Sequence, residues 1–585
     1  MAHSLQTIVV VVFVLVRITT SQDTQNKLTF EPNLSSSNLS TIQLDGSKTH
    51  VQSIKDDLVC SSCKFGLDFA LWKFRKPDGT YPGLFKFIIT MCKDLKIDSP
   101  AVCEGMVSAL QNETSFLLTK LQLNGGQICG LIFPSKCQSS GLSWNDDKWT
   151  VPIPQKNPTL KSYKTKPREG SPLKVLHISD LHIDLMYEPG SAINCDDPLC
   201  CRKGQQVSKK EAGNASYWGS YGYCDVPYWT VENMLSTAAK TQKYDYILWT
   251  GDLPAHNVWS QKRSSQIYLI KNLTTLLLKY FPDTAIYPAL GNHESDPVNS
   301  FPPSYVKGYN SISWLYDELV KAWAPWLPKD AIATVKQSGY YTTIVKPGFR
   351  IVSLNMNYCN NENFWMLLNP VDPNNELKWL VSVLTSAESK GESVHIIGHI
   401  PPSAGGDCLK VWRNNYYDII TRFKATVTAQ FFGHTHTDEF EIFYADSSLQ
   451  NPISMAYICP SVTTYTNSNP SYRTYDVVSN TWTVIDHHTY ILNLSNANTV
   501  QSDPQWKLEY SAKSTYGLQD LTAESWHKVF KSWFTDTTTT GNTFAKYYVN
   551  FHKGHPPTET CDDNCKRDLL CRIAGGNFTN LNCVS

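Results

Sequence analysis

Hydrophobic and polar positions follow three different patterns along this chain. In the segments 65–72 and 84–91, apolar residues recur at the spacing of one helix face, which predicts amphipathic helices. Between about 174 and 436 the apolar residues instead form short runs, each closed by a polar cluster, as is typical of buried strands. From about 514 onward, segments such as 521–534 again predict helix. The pattern therefore predicts helices, then an α/β region, then a smaller helical region.

Five of the short apolar runs in the middle region stop at Asp, Asn or His. They are separated by tens of residues, which leaves room for crossover helices and predicts an α/β architecture. In such sheets, ligands gather beyond the carboxyl ends of the strands. The polar residues that close the five runs are Asp180 with His182, Asp252, Asn292 with His293 and Glu294, His399, and His434 with His436.

These residue types at strand ends indicate a metal site. Asp180 and His182 are two residues apart, so both can approach one ion, and His434 and His436 repeat the arrangement. Mixed imidazole and carboxylate ligands suit zinc, iron or manganese, whereas calcium favours oxygen ligands throughout. Any one motif has a structural alternative, since a His-x-His pair also fits a strand with alternating polar positions. The ordered set of five favours the metal site.

Export from the cytosol is predicted at the N-terminus. The apolar run 8–16 is too short to span a bilayer, which needs roughly 20 residues. Residues 1–21 therefore predict a signal peptide cleaved near Ser21 or Asp23, followed by a polar lead-in over 22–55. An uncleaved anchor is the alternative, because His3 is the only positive candidate before the apolar run. No later segment is long and apolar enough to span a membrane, so we expect a soluble mature protein.

Two further features agree with a secreted or lysosomal location. The chain has 17 cysteines in local clusters, as expected of an oxidising compartment. It also has seven candidate glycosylation sites, at Asn33, Asn38, Asn112, Asn214, Asn272, Asn493 and Asn577.

Length and charge narrow the classes of function. At 585 residues the chain is long enough for several domains. The 52 Lys and Arg residues balance the 52 Asp and Glu residues, so no net positive field attracts nucleic acid. We therefore expect no nucleic-acid partner, and we expect the chain to act as a monomer.

Six cysteines in residues 56–141 mark a separate all-α domain. Six cysteines allow 15 pairings, so the spacing alone does not select one. A zinc site at Cys60 and Cys63 is a weaker interpretation, because an oxidising compartment favours disulfides. The block resembles saposin B-type domains, and this resemblance implies helices that open onto lipid. The alternative is a disulfide-linked bundle that only packs on its neighbour. The implied pairs are Cys60–Cys137, Cys63–Cys129 and Cys92–Cys103.

The remaining chain divides by composition. Residues 142–172 are rich in proline and predict a semi-extended linker. The main domain is predicted over 173–513, and a small helical, cysteine-rich C-terminal domain over 514–585. Cys459 follows an apolar segment and is predicted to be a buried strand thiol. The remaining cysteines are predicted to form the local pairs Cys195–Cys200, Cys201–Cys224, Cys359–Cys408, Cys561–Cys565 and Cys571–Cys583.

The polar clusters, taken in order, resemble those of the calcineurin-like metallophosphoesterases: Asp-x-His, Gly-Asp, Gly-Asn-His-Glu, Gly-His and Gly-His-x-His. The resemblance implies a double β-sheet sandwich flanked by helices and two metal ions. Within this superfamily, purple acid phosphatases place a ferric-iron-binding Tyr three residues after the bridging Asp. Ala255 occupies that position here, so two Zn²⁺ ions per chain are expected rather than iron. The implied ligands are Asp180, His182 and His436 for one metal, Asn292, His399 and His434 for the other, and Asp252 as the bridge.

The segments 251–259 and 291–303, and the order of the domains, resemble the acid sphingomyelinases. This resemblance implies hydrolysis of sphingomyelin to ceramide and phosphocholine by a metal-activated hydroxide, with the saposin domain presenting membrane lipid. The ceramide alkoxide is a poor leaving group that needs a proton. His293 is the first candidate for the general acid. His256 is the second, and a purely structural role is its alternative.

The same resemblance implies a substrate pocket lined by four residues. Asp225 and Glu362 would suit a choline cation, and Tyr465 would add a cation–π face. Two other functions fit parts of the sequence: hydrolysis of nucleotides or small phosphodiesters, and lipid binding by a catalytically dead enzyme. The presence of all seven implied ligands disfavours the latter. The implied pocket residues are Asp225, Asn299, Glu362 and Tyr465.

Overall fold

A computed structural model describes residues 48–132, 137, 148–156, 172–205, 213–403, 407–499, 504–535, 542–558 and 560–575. The chain forms two compact units, residues 1–143 and 144–585. The predicted signal peptide, lead-in residues 22–47, and the sequons at Asn33, Asn38 and Asn577 lie outside the described residues. None of the described helices combines the length and the apolar character needed to cross a bilayer.

The first unit is helical and held together by disulfides. Its helices are α1 (Lys48–Phe74), α2 (Leu84–Asp94), α3 (Pro100–Leu121) and α4 (Gly125–Ile132). The unit contains the three disulfides implied by the saposin resemblance, Cys60–Cys137, Cys63–Cys129 and Cys92–Cys103. All six cysteines are buried, so the disulfides form part of a small core. Helix α1 begins at Lys48, eight residues before the predicted domain boundary at 56, so the helix includes the end of the predicted polar lead-in.

The second unit is built on two six-stranded sheets. The first has the strand order β14–β13–β12–β1–β4–β5, and the second has the order β10–β11–β9–β8–β7–β6. A short pair, β2–β3, lies apart from both. The strands are β1 (Leu173–Ile178), β2 (Ile183–Asp184), β3 (Val226–Pro227), β4 (Tyr246–Trp249), β5 (Ala285–Pro288), β6 (Tyr341–Lys346), β7 (Phe349–Ser353), β8 (Ser393–Ile397), β9 (Val427–Phe432), β10 (Glu439–Tyr444), β11 (Pro452–Ile458), β12 (Ser471–Val477), β13 (Val484–Leu492) and β14 (Trp506–Ser511).

The strands that precede the polar clusters lie side by side and in parallel. In the first sheet, β1 pairs with β4 and β4 with β5, all parallel. In the second sheet, β7, β8, β9 and β11 are parallel. Side chains from both sheets, such as Leu248 and Phe431, share one buried core. This arrangement is the predicted double β-sheet sandwich.

Helices cover the sheets of the second unit. They are α5 (Tyr228–Thr241), α6 (Arg263–Tyr280), α7 (Ser313–Trp323), α8 (Lys329–Ser338), α9 (Glu376–Lys390), α10 (Lys410–Arg422), α11 (Leu494–Thr499), α12 (Ala512–Tyr516), α13 (Ala523–Thr535), α14 (Thr543–Phe551) and α15 (Asp563–Ile573). The apolar face of α9 contributes Leu377, Leu380 and Leu384 to a second core beside β8 and β9. The apolar face of α5 packs into the main core.

The sequence predicts a separate C-terminal domain over 514–585, but the described helices of this region pack on the second sheet. Trp526 of α13 packs on Phe440 of β10, with ring centroids 3.9 Å apart. The Tyr457 hydroxyl of β11 donates to the carbonyl of Leu521 at 2.8 Å. These apolar helix faces complete the core of the sandwich, so the described C-terminal helices belong to the same unit.

Part of the predicted linker 142–172 is also packed against the second unit. Val151 is buried, and its amide donates to Asn415 Oδ1 of α10 at 2.5 Å. The Asn415 amide group donates back to the carbonyl of Trp149 at 2.9 Å. Alternating apolar residues in this segment were a signal for packing that the proline content obscured.

The second unit contains four of its five predicted local disulfides: Cys195–Cys200, Cys201–Cys224, Cys359–Cys408 and Cys561–Cys565. Cys571 is disulfide-bonded, and its predicted partner Cys583 lies outside the described residues. Cys459 is a buried free thiol, as predicted. Of the described sequons, Asn112 and Asn214 are exposed, whereas Asn272 and Asn493 are half-buried.

Candidate metal centre and active site

The seven implied metal ligands all lie just beyond the carboxyl ends of parallel strands or on the loops that follow. Five of them have a positive φ: Asp180 (51°), His182 (39°), Asp252 (57°), His434 (75°) and His436 (63°). Left-handed backbone is uncommon outside glycine, although Asp, Asn and His are enriched in it. Such conformations cluster at functional sites, where the surrounding structure maintains them. Here they turn the side chains into a common space.

One group of ligand atoms forms around the end of β1. His182 Nε2 lies 3.0 Å from His436 Nε2. Asp180 Oδ1 lies 3.5 Å from His436 Nε2 and 4.0 Å from His182 Nε2. Ligand atoms bound at about 2.0–2.1 Å to one zinc ion stand roughly 3.0–3.4 Å apart. The spacing of this group therefore suits a shared cation.

A second group forms beside the ends of β5, β8 and β9. His399 Nε2 lies 3.0 Å from Asn292 Oδ1, and His434 Nδ1 lies 3.1 Å from the same oxygen. The two ring nitrogens are 3.2 Å apart. Asn292 donates its amide group to Asn299 Oδ1 at 2.9 Å, which turns Asn292 Oδ1 toward the imidazoles.

Asp252 lies between the two groups. Its Oδ2 is 3.5 Å from His182 Nε2 and 3.1 Å from His399 Nε2. Asp180 Oδ1 is also 3.9 Å from His399 Nε2, so the seven side chains converge on one continuous site in which Asp252 lies within reach of both groups.

The histidine tautomers suit cation binding. The outward nitrogens of three histidines contact backbone carbonyl oxygens, which only accept hydrogen bonds, so these nitrogens carry the proton. The inward nitrogens therefore present lone pairs to one another, an arrangement that a cation between them stabilises. The contacts are His182 Nδ1 to Pro254 O at 2.8 Å, His399 Nδ1 to Thr250 O at 2.6 Å, and His436 Nδ1 to Tyr465 O at 2.8 Å.

The electrostatic environment agrees with this interpretation. Burial opposes a charge on His399, yet the carboxylates of Asp252, Asp180 and Glu294 raise its pKa to about 9. The site therefore favours positive charge, which divalent metal ions would supply. The donor set of the described residues fits such ions.

Glycines allow the close approach that this geometry needs. A Cβ on Gly291 would overlap Asp252 Oδ1 and would lie 2.6 Å from Glu294 Oε2. A Cβ on Gly433 would overlap Ser179 and would lie 2.6 Å from Asp180 Oδ2. These two positions exclude every residue with a side chain, because Asp252, Asp180 and their neighbours Glu294 and Ser179 occupy the space.

Both candidate acids border the metal groups. His293 is buried, and its Nε2 lies 4.0 Å from Asp252 Oδ2. The His256 ring stacks on His182 with a centroid distance of 4.0 Å and meets His293 edge-on at 4.9 Å. Burial lowers the pKa of both imidazoles to about 3, and Asp252 opposes that shift.

Asp225, predicted to bind a choline cation, has a different position. Its carboxylate is fully buried and accepts hydrogen bonds from His256 Nδ1 at 2.8 Å, from the His256 amide at 2.7 Å and from Thr463 Oγ1 at 2.7 Å. A ligand headgroup cannot reach a carboxylate enclosed in this way. Asp225 instead orients His256, with Nε2 turned away from the carboxylate.

The other three implied pocket residues surround the metal groups. Asn299 links Asn292 to Glu362, because its own amide group donates to Glu362 Oε2 at 2.7 Å. Burial, and then the nearby Asp407 carboxylate, raise the pKa of Glu362. The Tyr465 ring stacks on His256 with a centroid distance of 4.2 Å, so one of its two faces is already covered.

Sequence reasoning assigned no role to two carboxylates of the site. His434 Nε2 lies 2.8 Å from Asp407 Oδ2, so Asp407 fixes the tautomer of this histidine. Glu294 accepts the Leu253 amide at 2.8 Å and thereby anchors the loop that carries Asp252. The Gly-Asn-His-Glu motif was a signal for Glu294, whereas the loop that precedes Cys408 offered none for Asp407.

The fold and the site define a metallophosphoesterase. Residues 173–438 match the calcineurin-like phosphoesterase family, and residues 451–584 match the C-terminal region of acid sphingomyelin phosphodiesterases. Human sphingomyelin phosphodiesterase is 42% identical over 521 residues, which cover 88% of this chain and 81% of that protein. The bovine sphingomyelin phosphodiesterase is 41% identical over 524 residues, with the same coverage of both chains. The chain therefore belongs to the acid sphingomyelinase family of phosphoric diester hydrolases.

A related human protein, acid sphingomyelinase-like phosphodiesterase 3b, is also similar. It is 33% identical over 429 residues, which cover 69% of this chain and 88% of that protein.

Proposed function

We propose that this chain is a zinc-dependent phosphodiesterase that hydrolyses sphingomyelin to ceramide and phosphocholine at a site for two Zn²⁺ ions. The observation that carries the proposal is the convergence of seven donor side chains in two groups that share Asp252. The similarity to proteins named sphingomyelin phosphodiesterases over 88% of the chain supports the choice of substrate.

Zinc is the metal that the site chemistry favours. Four imidazoles and few oxygen donors suit zinc better than magnesium or calcium. Buried Ala255 stands where purple acid phosphatases have the tyrosine that binds ferric iron. When bound, two such ions supply an activated water nucleophile and neutralise the charge of the phosphoryl group.

The residues of the chain supply the other requirements of the reaction. Asp252 holds the two ligand groups together, and Asn299 orients Asn292. Buried carboxylates and imidazoles exclude bulk water, which strengthens electrostatic interactions with the phosphodiester. The leaving ceramide oxygen needs a proton, and His293 and His256 lie beside the ligand groups. Burial lowers the pKa of both imidazoles to about 3, so either one acts as the acid only when the anionic phosphodiester has bound and raised that pKa.

We assign His293 as the general acid and His256 as its partner or alternative. A positioned acid contributes about 10²–10⁴-fold to the rate. His293→Ala should therefore reduce turnover of sphingomyelin by about that factor while metal content, measured by elemental analysis, stays at the wild-type level. Undiminished turnover in a fully metallated His293→Ala protein would refute this assignment.

Glu362 and Tyr465 are the proposed contacts for the choline headgroup. Glu362 places a carboxyl group near the second ligand group, where a choline cation would favour its ionised form, and Tyr465 offers the ring face that His256 leaves uncovered. Asn299 holds the Glu362 carboxylate in place.

The first unit is the proposed contact with membrane lipid. Phe65, Phe69 and Trp72 of α1 lie on one helix face and are exposed by 60%, 37% and 75% of their surfaces. Lys73 and Arg75 are exposed next to them. Aromatic side chains with adjoining cations suit the headgroup region of a bilayer.

Secretion or residence in a lysosome is proposed for the mature chain. The seven described disulfides and the exposed sequons at Asn112 and Asn214 support passage through an oxidising, glycosylating compartment.

One experiment tests the proposed function. The purified full chain is assayed at pH 5 on sphingomyelin liposomes and, separately, on ATP, each with and without a chelator. We expect sphingomyelin hydrolysis that the chelator abolishes and that added Zn²⁺ restores. Hydrolysis of ATP without hydrolysis of sphingomyelin would show that the substrate is a nucleotide rather than sphingomyelin. Activity that resists the chelator would refute the metal mechanism.

A further inference from the structure

A lysine from the C-terminal part of the chain lies beneath the active site. Lys553 lies two residues after the end of helix α14, and only 1% of its surface is exposed. Its Nζ donates to Ser461 Oγ at 2.6 Å, to the Thr463 carbonyl at 3.2 Å and to the Ser461 carbonyl at 3.3 Å. All three acceptors belong to one turn, which begins just after β11.

This environment is unusual for a buried ammonium group. Buried charges are commonly paired with an opposite charge, because an unpaired buried charge is costly. Among the described residues, the hydrogen-bond acceptors of Lys553 are neutral oxygens rather than carboxylates. Burial lowers the pKa of Lys553 to about 7, so the group keeps its three protons at acidic pH. Three donors then fix three oxygens of the turn.

The backbone of Lys553 is fixed as well. Its φ of 52° lies in the left-handed region, and its carbonyl accepts the Asn469 amide group at 2.9 Å. Lysine in this conformation is uncommon. The contacts on both its backbone and its side chain therefore hold the residue against the turn.

The turn that Lys553 holds carries five contacts to the active site. The Val462 and Thr463 amides donate to the carbonyls of Ser179 and Asp180, at 3.2 and 3.0 Å. The Thr463 hydroxyl donates to Asp225, which orients His256. Further along, the Tyr465 carbonyl accepts a hydrogen bond from His436 Nδ1, and the Tyr465 ring stacks on His256.

We propose that Lys553 is a positioning residue for proton delivery, because it holds the 461–465 turn that orients His256 through Thr463, Asp225 and Tyr465. This inference rests on the proposed role of His256 beside His293 in protonating the leaving group. It gives the C-terminal helices a part in the reaction at the metal centre.

Leaving-group dependence tests the proposal. A misplaced acid should slow the hydrolysis of sphingomyelin more than that of p-nitrophenyl phosphocholine. The sphingomyelin alkoxide needs a proton to leave, whereas the p-nitrophenolate leaves without one. We expect Lys553→Met and Thr463→Val to lower the ratio of kcat/KM for sphingomyelin micelles to kcat/KM for the chromogenic substrate at least tenfold. His256→Ala should lower it further. Metal content, measured in parallel, should stay at the wild-type level.

Lys546→Met is the matched control, because Lys546 lies exposed on α14, the helix that precedes Lys553, and its replacement should leave the ratio unchanged. If Lys553→Met does not fold, Lys553→Gln is tested in its place. Its ratio of kcat/KM values should lie between the wild-type ratio and the Thr463→Val ratio. A wild-type ratio in the Lys553 variants, together with a lowered ratio in His256→Ala, overturns this inference alone. A wild-type ratio in His256→Ala overturns the acid role of His256 and this inference with it.

Discussion

Asp180, His182, Asp252, His434 and His436 adopt left-handed backbone conformations at the metal groups, which is uncommon for residues other than glycine. Conformations of this kind cost on the order of 1–3 kcal/mol each where they are sparsely populated, and Asp, Asn and His tolerate them best. The residue types that bind metals are thus also those that can make these turns. Bound cations would offset part of the cost, because a ligand that binds only the folded state stabilises it.

Gly291→Ala should abolish metal binding. The new Cβ would overlap Asp252 Oδ1, so the bridging carboxylate would have to move. We expect loss of bound metal after dialysis, measured by elemental analysis, and loss of turnover of more than tenfold. Gly308→Ala is the control: Gly308 has a positive φ (76°), which strains the backbone of an alanine, but its Cβ would meet open space. A fully metallated Gly291→Ala enzyme would contradict the packing argument.

Glu441→Gln should change how stability depends on pH. Burial raises the pKa of Glu441 from 4.5 to about 8, and neighbouring Glu439 adds to this, while Ser403, Arg572 and Arg413 oppose it. The folded state therefore binds more protons than the unfolded state between about pH 4.5 and 8, and stability falls as pH rises through this window.

Because Glu441→Gln removes this titrating group, the stability of the variant should depend less on pH. Glu441→Gln should match wild type near pH 4.5 and should be more stable near pH 8, by an amount on the order of a few kcal/mol. Thermal unfolding at both pH values measures the effect. The exposed Glu188→Gln should follow the wild-type profile. A Glu441→Gln variant that is less stable than wild type at pH 8 would show that the carboxylate is ionised in the folded protein.

At the scale of elements, parallel strands from the two sheets bring the ligands together. Strands β1, β4 and β5 of one sheet and β8 and β9 of the other end beside one another. Loops tied to one another then orient the ligands. The Cys359–Cys408 disulfide joins the segment after β7 to the segment before α10, and the Asn361 amide donates to the Asp407 carbonyl at 2.7 Å.

Loss of the Cys359–Cys408 disulfide should weaken metal binding. The Cys359→Ser/Cys408→Ser variant frees Asp407, which fixes the tautomer of His434, and loss of such a partner typically costs 10–100-fold in metal affinity. Competition with a chromogenic chelator measures that affinity, and circular dichroism checks folding. Cys561→Ser/Cys565→Ser, which removes a disulfide of sequence separation 4, is the control. Equal affinities in the two variants would show that Asp407 is held without the disulfide.

At the scale of the whole molecule, the chain combines two compact units of different kinds. The first is a small helical unit that relies on three disulfides, as small domains with limited cores often do. The second contains the large shared core, the candidate metal centre and the described C-terminal helices. The exposed aromatic face of α1 leaves apolar area in the first unit that a lipid surface would cover.

Phe65→Ser/Trp72→Ser should separate lipid contact from chemistry. Both side chains are exposed, so the substitutions should leave the helical unit folded. We expect hydrolysis of sphingomyelin in vesicles to fall at least tenfold, while hydrolysis of soluble p-nitrophenyl phosphocholine stays at the wild-type rate. Tyr268→Ser, which removes an exposed aromatic from the second unit, is the control. Unchanged vesicle hydrolysis would refute the lipid-presenting role.

The sequence by itself determined the features that depend on local pattern. Apolar runs closed by glycine and a polar residue predicted the strands and the metal-ligand candidates, since strand ends and ligand spacing are local properties. The sandwich agrees with those predictions, and the described disulfides agree with the pairs that the saposin resemblance implied and with the predicted local pairs. The sequence did not predict that parts of 142–172 and 514–585 pack on the second unit, because composition does not reveal which apolar residues a distant sheet will bury.

The tertiary structure alone decided how the ligands and acids are oriented. Thr463 contacts Asp225 across 238 residues, and Lys553 contacts Ser461 across 92. Such pairs form only when separate loops meet, so no periodicity or spacing announces them. For the same reason, Asp225 was predicted to face a substrate cation, whereas the folded chain encloses it and directs it to His256.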